Sequence, residues 1–215
     1  KPVQVLGKKE PVPGCDLTLT IDENIQKAAE KAIDEQLLYL QTKGGRPNAK
    51  AAAAVVVNPQ TGEVLAMVSR PSFNPNLFAG GISTKDWNLI NNNPNHPLDN
   101  KAITGEYPPG STFKVVTLLE FMRENPDYSS YSYNCTGSIE NSGIKIHCYN
   151  GHVHGQVNLQ DSLAYSCNTS FSNIGLSLDP SKFKKTAEEV LFDSKLPSDL
   201  PYSKSSFTLD GSAGD

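Results

Sequence analysis

The sequence has 215 residues and a formal net charge of −4, which is enough chain for one or two domains with a buried core. The acidic balance and the lack of a basic stripe argue against a nucleic-acid partner. No apolar run is long enough to span a bilayer, and no secretory signal opens the chain. Because the sequence begins at Lys1 without an initiating methionine, we expect it to be a piece of a longer protein.

The chain opens with a predicted strand and a predicted helix. Residues 16–21 alternate polar and apolar side chains in the manner of a half-buried strand. The helix that follows is capped either by Thr20, paired with Glu23 in a capping box, or by Asp22, and it reaches roughly to Leu40. Its apolar residues fall on one face, which predicts a helix that packs on a core.

A β-hairpin is predicted next. Residues 51–57 and 63–69 are β-rich and apolar, and Pro59 and Gly62 lie between them. Proline fixes φ and glycine tolerates a positive φ, so this linker has the chemistry of a turn. Residues 80–101 are rich in Asn and Pro, which predicts a surface excursion with one short helix. The apolar centre of that short helix is Trp87.

The second half is predicted to be mainly helical. An apolar stretch without Gly or Pro predicts a helix over residues 111–123 that is buried on nearly every side. Helical patterns also cover residues 158–178 and 183–192, whereas residues 128–156 are polar and rich in turn residues, and residues 196–215 are typical of a loop. Helix, hairpin and helical block together predict an α+β (α/β layered) fold in which helices cover an antiparallel sheet.

The approach to the first of these helices provides a candidate for catalysis. Pro108, Pro109 and Gly110 stiffen and then turn the chain, which places Ser111 in the first helical turn and Lys114 one turn further along the same face. A serine hydroxyl is too weak an acid to ionise alone and needs an adjacent base. A lysine beside apolar side chains loses its proton more readily because desolvation disfavours the charged form. The helix N-terminus stabilises a nearby anion.

The Ser-x-x-Lys spacing alone does not decide the site. It recurs at Ser142/Lys145, in a predicted loop, and at Ser181/Lys184, at the start of an ordinary helix with a solvated lysine. Only Ser111 combines a rigid entry with a long apolar continuation. The alternative interpretation of Ser111 is a capped core helix without chemistry.

A second candidate site interrupts the helical pattern of residues 158–178. Ser166 and Asn168 are two residues apart and cannot share one helix face, so they converge on one site only from a bend. A serine there can pass a proton to a leaving amine, and an asparagine amide can donate to a carbonyl and accept from a lysine ammonium. Polar residues that merely kink a helix are the alternative, since Ser-x-Asn also begins at Ser72 and Ser132.

The four cysteines leave more than one interpretation open. Cys135 and Cys148 bracket one turn-rich segment and could close it as a disulfide in an oxidising compartment, whereas Cys15 and Cys167 have no evident partner. Histidines in the same segment add nitrogen donors, but their spacing fits no regular zinc pattern, so we expect no metal site. These histidines are His147, His152 and His154.

Three segments together resemble one protein family. The motif Tyr-Pro-Pro-Gly-Ser-Thr-Phe-Lys at residues 107–114 resembles the first motif of penicillin-binding protein transpeptidases, in the form found in the monofunctional class B branch. The hairpin and its exit at residues 55–76 are similar to the same proteins. The segment Leu-Ala-Tyr-Ser-Cys-Asn-Thr-Ser-Phe at residues 163–171 resembles their second motif.

The resemblance implies a fold and a serine-type reaction. The fold is that of penicillin-binding proteins and serine β-lactamases, with residues 1–215 as the N-terminal part of one transpeptidase domain. Lys114 takes the proton of Ser111, which attacks the penultimate D-Ala carbonyl of a peptidoglycan stem peptide. Ser166 passes the proton to the departing D-Ala, and Asn168 orients the substrate and the lysine. No cofactor or metal is implied.

The resemblance also implies partners and a location. The partners are stem peptides ending in D-Ala-D-Ala, β-lactam antibiotics and a membrane glycosyltransferase beside the parent protein. The location is the extracytoplasmic face of the bacterial cell membrane, reached through an N-terminal anchor outside this chain. A serine β-lactamase and a β-lactam-binding sensor are the alternative functions, and a scaffold domain without activity is a third.

The family's third motif, Lys-Thr/Ser-Gly on an edge strand, does not occur in the sequence. That strand normally supplies substrate-carboxylate recognition and one N–H group of the oxyanion hole. Few β-rich runs follow Ser69, so we expect residues 1–215 to be a truncated domain that does not fold independently and is inactive alone.

Overall fold

In the computed structural model, which describes residues 12–209, the chain divides into a first unit that ends at Thr104 and a second that begins at Gly105. Each unit combines helices with antiparallel strand pairs, which confirms the predicted α+β class. The strands within the described residues form three separate two-stranded sheets. Among residues 12–209, no helix has both the length and the hydropathy that a bilayer crossing requires.

Helix α1 (Glu23–Thr42) confirms the helix predicted near the start of the chain. Its N-cap is Asp22, whose carboxylate accepts the backbone N–H groups of the second and third helical residues at 2.8 and 3.0 Å. Two otherwise unpaired donors of the first turn are thereby satisfied. Thr20, the other candidate cap, instead donates its hydroxyl to the carbonyl of Val64 at 2.7 Å.

Strands β1 (Ala52–Val57) and β2 (Val64–Arg70) form the predicted antiparallel hairpin. Gly62 adopts φ +78° in the linker, which is the left-handed conformation expected of it. The Gln26 side chain of α1 exchanges two hydrogen bonds with the backbone of Met67, at 2.8 and 3.1 Å. The side-chain amide of Gln26 therefore satisfies the backbone N–H and C=O groups of Met67, a residue of β2.

Residues 16–21 do not form the predicted strand. Leu17 and Leu19 are 82% and 64% exposed, and the segment approaches β2 through the Thr20 hydroxyl and through the N–H of Asp22, which donates to the carbonyl of Leu65 at 2.9 Å. The alternating side chains of this segment have the period of a strand. A strand also needs a neighbouring strand along its whole length, with which its backbone N–H and C=O groups form hydrogen bonds.

Two short helices complete the described part of the first unit. Helix α2 (Thr84–Asn91) contains Trp87, as predicted, and is capped by the Ser83 hydroxyl, which accepts the N–H of Asp86 at 3.1 Å. Helix α3 covers Lys101–Thr104.

Four α-helices lie in the described part of the second unit: α4 (Lys114–Glu124), α5 (Leu159–Ala164), α6 (Asn168–Ser177) and α7 (Pro180–Glu189). A 3-10 turn over Gly110–Phe113 leads into α4, and the two together match the helix predicted over residues 111–123. The helical pattern of residues 158–178 is confirmed as two helices separated by a turn.

The apolar core of the second unit lies between α4, α5 and α6. Its buried members are Phe121, Leu159, Phe171, Ile174 and Leu178. Val116 of α4 is also buried, but its neighbour Val115 is 51% exposed. The expectation that this helix is buried on nearly every side is therefore wrong. Consecutive residues point to different sides of a helix, and only one side of α4 faces α6 and α7.

The region predicted to consist of turns contains four short strands. Strand β3 (Ser132–Cys135) pairs with β6 (Gly155–Asn158), and β4 (Ser138–Asn141) pairs with β5 (Ile144–His147), both antiparallel. Strands of four residues give too few positions for an alternating pattern to be recognised. The sequence expectation of few strands after Ser69 is therefore wrong.

Replacing Ile174 by alanine should destabilise the second unit, because this fully buried side chain joins α6 to the core. We expect a loss of about 2–5 kcal/mol in the free energy of unfolding, against about 0.5–1.5 kcal/mol for the matched Ile174→Val variant. Urea unfolding of the complete protein, carrying each substitution in turn, measures the difference. Equal losses would show that Ile174 does not fill a tightly packed position.

Candidate active site

The first two predicted site residues lie where the 3-10 turn meets α4. Ser111 belongs to the turn and is exposed, and Lys114 is the first residue of α4 and is half-buried. Gly110 enters the turn with φ +57°, a left-handed conformation that other residues rarely adopt. Side chains three residues apart in a 3-10 turn lie on the same side. The predicted placement of the serine and the lysine at the start of this helix is confirmed.

The other two predicted residues, Ser166 and Asn168, lie at the turn between α5 and α6. Ser166 adopts φ +50°, and Asn168 begins α6. Cys167 between them donates its backbone N–H to the carbonyl of Ser162 at 2.9 Å, and its side chain is fully buried. The bend predicted from the Ser-x-Asn spacing is present, and it directs both flanking side chains to Lys114.

Lys114 is the centre of the hydrogen-bond network. Its Nζ donates to the Ser166 carbonyl at 2.7 Å, to Ser166 Oγ at 2.9 Å and to Asn168 Oδ1 at 2.6 Å. Ser166 Oγ donates in turn to Ser111 Oγ at 3.1 Å. The structure therefore brings all four predicted residues into one network, in which Ser166 links the lysine to the exposed serine hydroxyl.

Asn168 is also held from its other side. Its Nδ2 donates to the carbonyl of His147, the last residue of β5, at 2.9 Å. Because the amide donates through nitrogen and accepts through oxygen, this contact fixes the oxygen toward Lys114. This contribution of the β4–β5 hairpin could not be predicted from side-chain patterns, because it is made by a backbone carbonyl.

Burial is the main reason why the pKa of Lys114 lies below its ordinary value. The thiolate forms of Cys167 and Cys148 act in the opposite direction and favour the ammonium. The Nζ atom lies 5.5 Å from the centroid of the Phe171 ring, so part of its surroundings is aromatic. A lysine whose pKa is lowered in this way can supply a neutral amine and accept a proton.

A cleft of about 790 Å³ opens beside the turn that carries Ser111. Gly110 and Phe113 line it from the turn, and Phe192 and Phe207 line it from the C-terminal region. Its aromatic wall is continuous, since the rings of Phe113 and Phe207 are 5.2 Å apart between centroids. A cleft of this size, apolar and next to polar reactive groups, suits a small ligand or a peptide end.

The other two Ser-x-x-Lys pairs lie outside this network. Ser142 occupies the turn between β4 and β5 with φ +50°, and Lys145 is exposed on β5. Ser181 is the second residue of α7, and Lys184 follows on the same helix. Spacing alone did not distinguish the three pairs, but the rigid entry and the apolar continuation of Ser111 did.

A group of sulfur and nitrogen donors, hereafter the thiol cluster, lies next to the turn between α5 and α6 that carries Ser166. Its members are Cys135, Cys148, His154 and Cys167, and their donor atoms all lie within 4.8 Å of one another. The expectation that Cys167 has no partner is wrong, because its sulfur is 3.8 Å from that of Cys148. Cys148 lies equally near Cys135, at 3.7 Å, and all three are free thiols in the structure. The predicted Cys135–Cys148 disulfide stays a prediction.

The surroundings of Cys135 in the thiol cluster favour its thiolate form. Burial raises the pKa of Cys135, but hydrogen bonds from Thr169, from His154 and from the backbone of Gly137 outweigh burial and lower the pKa to about 5. Burial raises the pKa of Cys167. Thiolate sulfur and imidazole nitrogen are donors that zinc prefers, so within residues 12–209 these four side chains could hold a metal ion.

Residues 52–213 match the family model described as penicillin binding protein transpeptidase domain. Among curated proteins, the peptidoglycan D,D-transpeptidase MrdA of Acinetobacter baumannii is 33% identical over 198 residues, which cover 91% of this chain and 27% of that protein. The chain therefore spans about a quarter of that relative's length. The matched range includes all four residues of the Lys114 network.

Solved structures give the same result. Pseudomonas aeruginosa PBP2, in complex with WCK 5153, superposes with a TM-score of 0.74 at 30% identity, over 92% of this chain and 40% of that one. Penicillin-binding protein A from M. tuberculosis, as an imipenem acyl-enzyme complex, superposes with a TM-score of 0.72 at 30% identity, over 87% of this chain and 43% of that one. The chain belongs to the penicillin-binding protein transpeptidase family, in the class B branch that its first motif predicts.

Proposed function

We propose that this chain is the nucleophile-bearing part of a serine D,D-transpeptidase that cross-links peptidoglycan and is acylated by β-lactams. The proposal depends above all on the continuous Lys114–Ser166–Ser111 hydrogen-bond chain, with links of 2.9 and 3.1 Å. A base, a bridging hydroxyl and an exposed nucleophile in contact are what acyl transfer to serine requires. The name of the A. baumannii relative and the imipenem acyl-enzyme of the M. tuberculosis protein support the same reaction.

In the first half-reaction, neutral Lys114 accepts the proton of Ser111 as its Oγ attacks the penultimate D-Ala carbonyl of a stem peptide. The 3.1 Å contact between Ser166 Oγ and Ser111 Oγ gives that proton a short path. The negative charge that develops on the carbonyl oxygen is stabilised by backbone N–H groups, including that of Ser111 at the start of the helix.

Collapse of the tetrahedral intermediate breaks the amide bond and releases the terminal D-Ala. Ser166 passes the proton to the departing amine, and Asn168 orients the substrate and Lys114. The amine of a neighbouring stem peptide then attacks the acyl-enzyme, which forms the cross-link and frees Ser111. A β-lactam follows only the first half, since its leaving group stays attached and blocks the acceptor.

The remaining parts of the reaction belong to the protein as a whole. We place residues 1–215 in the N-terminal part of its transpeptidase domain, with a Lys-Thr/Ser-Gly strand from elsewhere in the protein completing the oxyanion hole and binding the substrate carboxylate. The protein acts at the extracytoplasmic face of the membrane, held by an N-terminal anchor. A membrane glycosyltransferase supplies the glycan strands.

Acylation stability tests this function against its nearest alternative. Incubating the complete protein with penicillin should give one stable adduct per chain, and peptide mapping should locate it on the peptide that contains Ser111. Nitrocefin should be turned over slowly, because the acyl-enzyme of a transpeptidase resists water. Rapid nitrocefin turnover without a lasting adduct would identify a β-lactamase instead.

A further inference from the structure

Three aromatic rings, hereafter the aromatic platform, lie in contact beside the turn that carries Ser166. The rings of Tyr165 and His154 are stacked, with centroids 5.8 Å apart and an angle of 3° between their planes. The ring of His152 meets that of His154 edge to face, with centroids 4.8 Å apart. Offset-stacked and edge-to-face arrangements are the favoured ones for aromatic pairs, so these contacts hold the Tyr165 ring in one orientation.

Tyr165 is held in place but is not part of the apolar core. The residue is 57% exposed, and it directly precedes Ser166, which contacts Lys114. Its backbone is fixed, because its N–H donates to the carbonyl of Asp161 at 2.9 Å and the N–H of Ser166 donates to that of Leu163 at 3.0 Å. A ring this open to solvent contributes little apolar burial to the fold, so its exposed surface is available to a ligand.

The chemistry of acyl transfer brings the second substrate to the same side of the site. In the proposed first half-reaction, Ser166 passes a proton to the amine that departs from the tetrahedral intermediate. The second half-reaction runs through the same kind of intermediate in the opposite direction, so the attacking amine enters where the first amine left. Ser166 Oγ lies 3.1 Å from Ser111 Oγ, the atom that carries the acyl group at this stage. The acceptor therefore approaches along the surface next to Ser166.

The aromatic platform has the chemistry to hold an amine acceptor. A primary aliphatic amine is an ammonium at neutral pH, since its ordinary pKa is about 10.4, and aromatic faces attract cations. The methylene groups that carry the amine pack on the same ring surface. Asp161 lies one helical turn before Tyr165, a spacing that places a carboxylate on the same side of α5. Charge and shape therefore favour a cationic amine on an aliphatic chain over an anionic group.

The aromatic platform and the cleft of about 790 Å³ belong to different parts of the second unit. The cleft is lined from the turn that carries Ser111, by Gly110 and Phe113. The platform belongs to the loop before β6 and to the turn between α5 and α6. Two stem peptides react in each cycle, and the two surfaces flank the contact between Ser111 and Ser166 from separate elements. This leaves the cleft for the donor and the platform for the acceptor.

We propose that Tyr165 binds the acceptor in the second half-reaction, and that its ring receives the amine-bearing aliphatic side chain of a neighbouring stem peptide. This inference rests on the proposed function, because it concerns the step that follows acylation of Ser111. As the ammonium moves from the ring to Ser166, it gives one proton to the solvent. Its nitrogen then bonds to the acyl carbon, the ester bond to Ser111 breaks, and a second proton of the amine passes through Ser166 to Ser111 Oγ.

Cross-linking at varied acceptor concentration tests the role of Tyr165. The complete protein is given a small N-acyl-D-alanyl thioester as donor and stem-peptide fragments with a lysine or a diaminopimelate side chain as acceptors. Tyr165→Leu should raise the acceptor concentration for half-maximal cross-linking about 2- to 30-fold, the range of a cation–π contact. The rate at saturating acceptor should change much less. Tyr165→Phe keeps the ring and should stay within about twofold of the wild type. Equal acceptor requirements in the Leu and Phe variants would overturn the proposal.

Tyr149→Leu is the matched control for this substitution. Tyr149 is 84% exposed and begins the short 3-10 turn that precedes the platform. Its replacement should leave the acceptor requirement at the wild-type value, and thermal melts of all variants should resemble that of the wild type. An equal rise in the acceptor requirement of Tyr149→Leu would assign the effect to exposed tyrosines in general and contradict a specific role of Tyr165.

Ligand binding to the wild-type protein decides the question independently of acylation and of how the variants fold. In saturation-transfer NMR, at least one of the two amine fragments should bind. A matched norleucine fragment, which lacks the side-chain amine, should bind about 2- to 30-fold more weakly. Tyr165→Leu should remove that difference. A wild-type protein that penicillin never labels would refute the proposed function, and the binding comparison would still decide the acceptor surface. Equal binding of the amine and norleucine fragments to the wild type would overturn the proposal.

Discussion

Ser111→Ala is expected to abolish covalent labelling by a fluorescent penicillin. The substitution removes the exposed Oγ that ends the Lys114–Ser166–Ser111 chain, and a methyl group cannot form the acyl bond. Removing a catalytic serine costs on the order of 10⁶-fold in rate, so the remaining signal should fall below detection. Gel fluorescence and intact mass after incubation with the label measure the result.

The chain offers its own matched controls for this prediction. Ser142→Gly and Ser181→Ala change the serines of the two other Ser-x-x-Lys pairs, and both should leave labelling unchanged. Glycine is chosen at Ser142 because that residue has φ +50°, which glycine adopts without strain. Thermal unfolding of all three variants should resemble that of the wild type. A labelled Ser111→Ala protein, or a control that loses its label, would remove Ser111 from its assigned role.

The active site could largely be predicted because its signals are local. The rigid entry before Ser111 and the apolar run after Lys114 are adjacent in sequence, and they fixed where a helix begins. The two-residue spacing of Ser166 and Asn168 required a bend, and the bend is there. Sequence could not show that Ser166 Oγ, rather than the lysine itself, makes the hydrogen bond to Ser111, since that depends on how two distant turns meet.

The fold was predictable where one element carried its own pattern and unpredictable where elements depended on partners. Helix α1 and the hairpin of β1 and β2 have clear periodicity, caps or turn residues, and both were confirmed. Residues 16–21 have the alternating pattern of a strand, but they form no strand and their two leucines are exposed. Strands β3 to β6 show the reverse, since they form without a recognisable pattern. Each has only four residues, and its pairing depends on the strand beside it.

The thiol cluster was missed for a related reason. Its donors were sought within the turn-rich segment, where Cys135, Cys148 and His154 fit no regular spacing. The fourth donor, Cys167, lies within the Ser-x-Asn motif and is brought to the others by α6, which packs against β3, β4 and β5. A cysteine inside a catalytic motif, together with unpaired donors upstream, was the signal that could have pointed to the cluster.

Lys114→Arg should lose most acylation activity even though it keeps a positive charge. A guanidinium stays protonated at any pH that the protein tolerates, so it can donate to Ser166 and Asn168 but cannot accept the proton of Ser111. Loss of a positioned general base lowers the rate by about 10²–10⁴-fold. Stopped-flow measurement of the acylation rate constant with nitrocefin or a fluorescent penicillin quantifies the loss.

The lysines of the other Ser-x-x-Lys pairs are matched controls for this substitution. Lys145→Arg and Lys184→Arg should acylate at the wild-type rate, since Lys145 is exposed on β5 and Lys184 lies on α7. Because arginine is larger than lysine, a thermal melt of Lys114→Arg is needed to separate lost chemistry from lost structure. A folded Lys114→Arg protein that acylates at the wild-type rate would remove the lysine from the role of base.

The pH dependence of the wild-type protein tests the same role without any substitution. Burial lowers the pKa of Lys114 from its ordinary value of 10.5, against a smaller opposing electrostatic effect of Cys167 and Cys148. Below that lowered pKa the side chain is an ammonium and cannot accept a proton, whereas above it the neutral amine predominates. The acylation rate constant should therefore rise with pH and reach its plateau below the pH at which an exposed lysine titrates. In Lys114→Arg this rise should vanish, because the guanidinium does not titrate in the range. A rise of unchanged midpoint in the variant would assign the titration to a group other than Lys114.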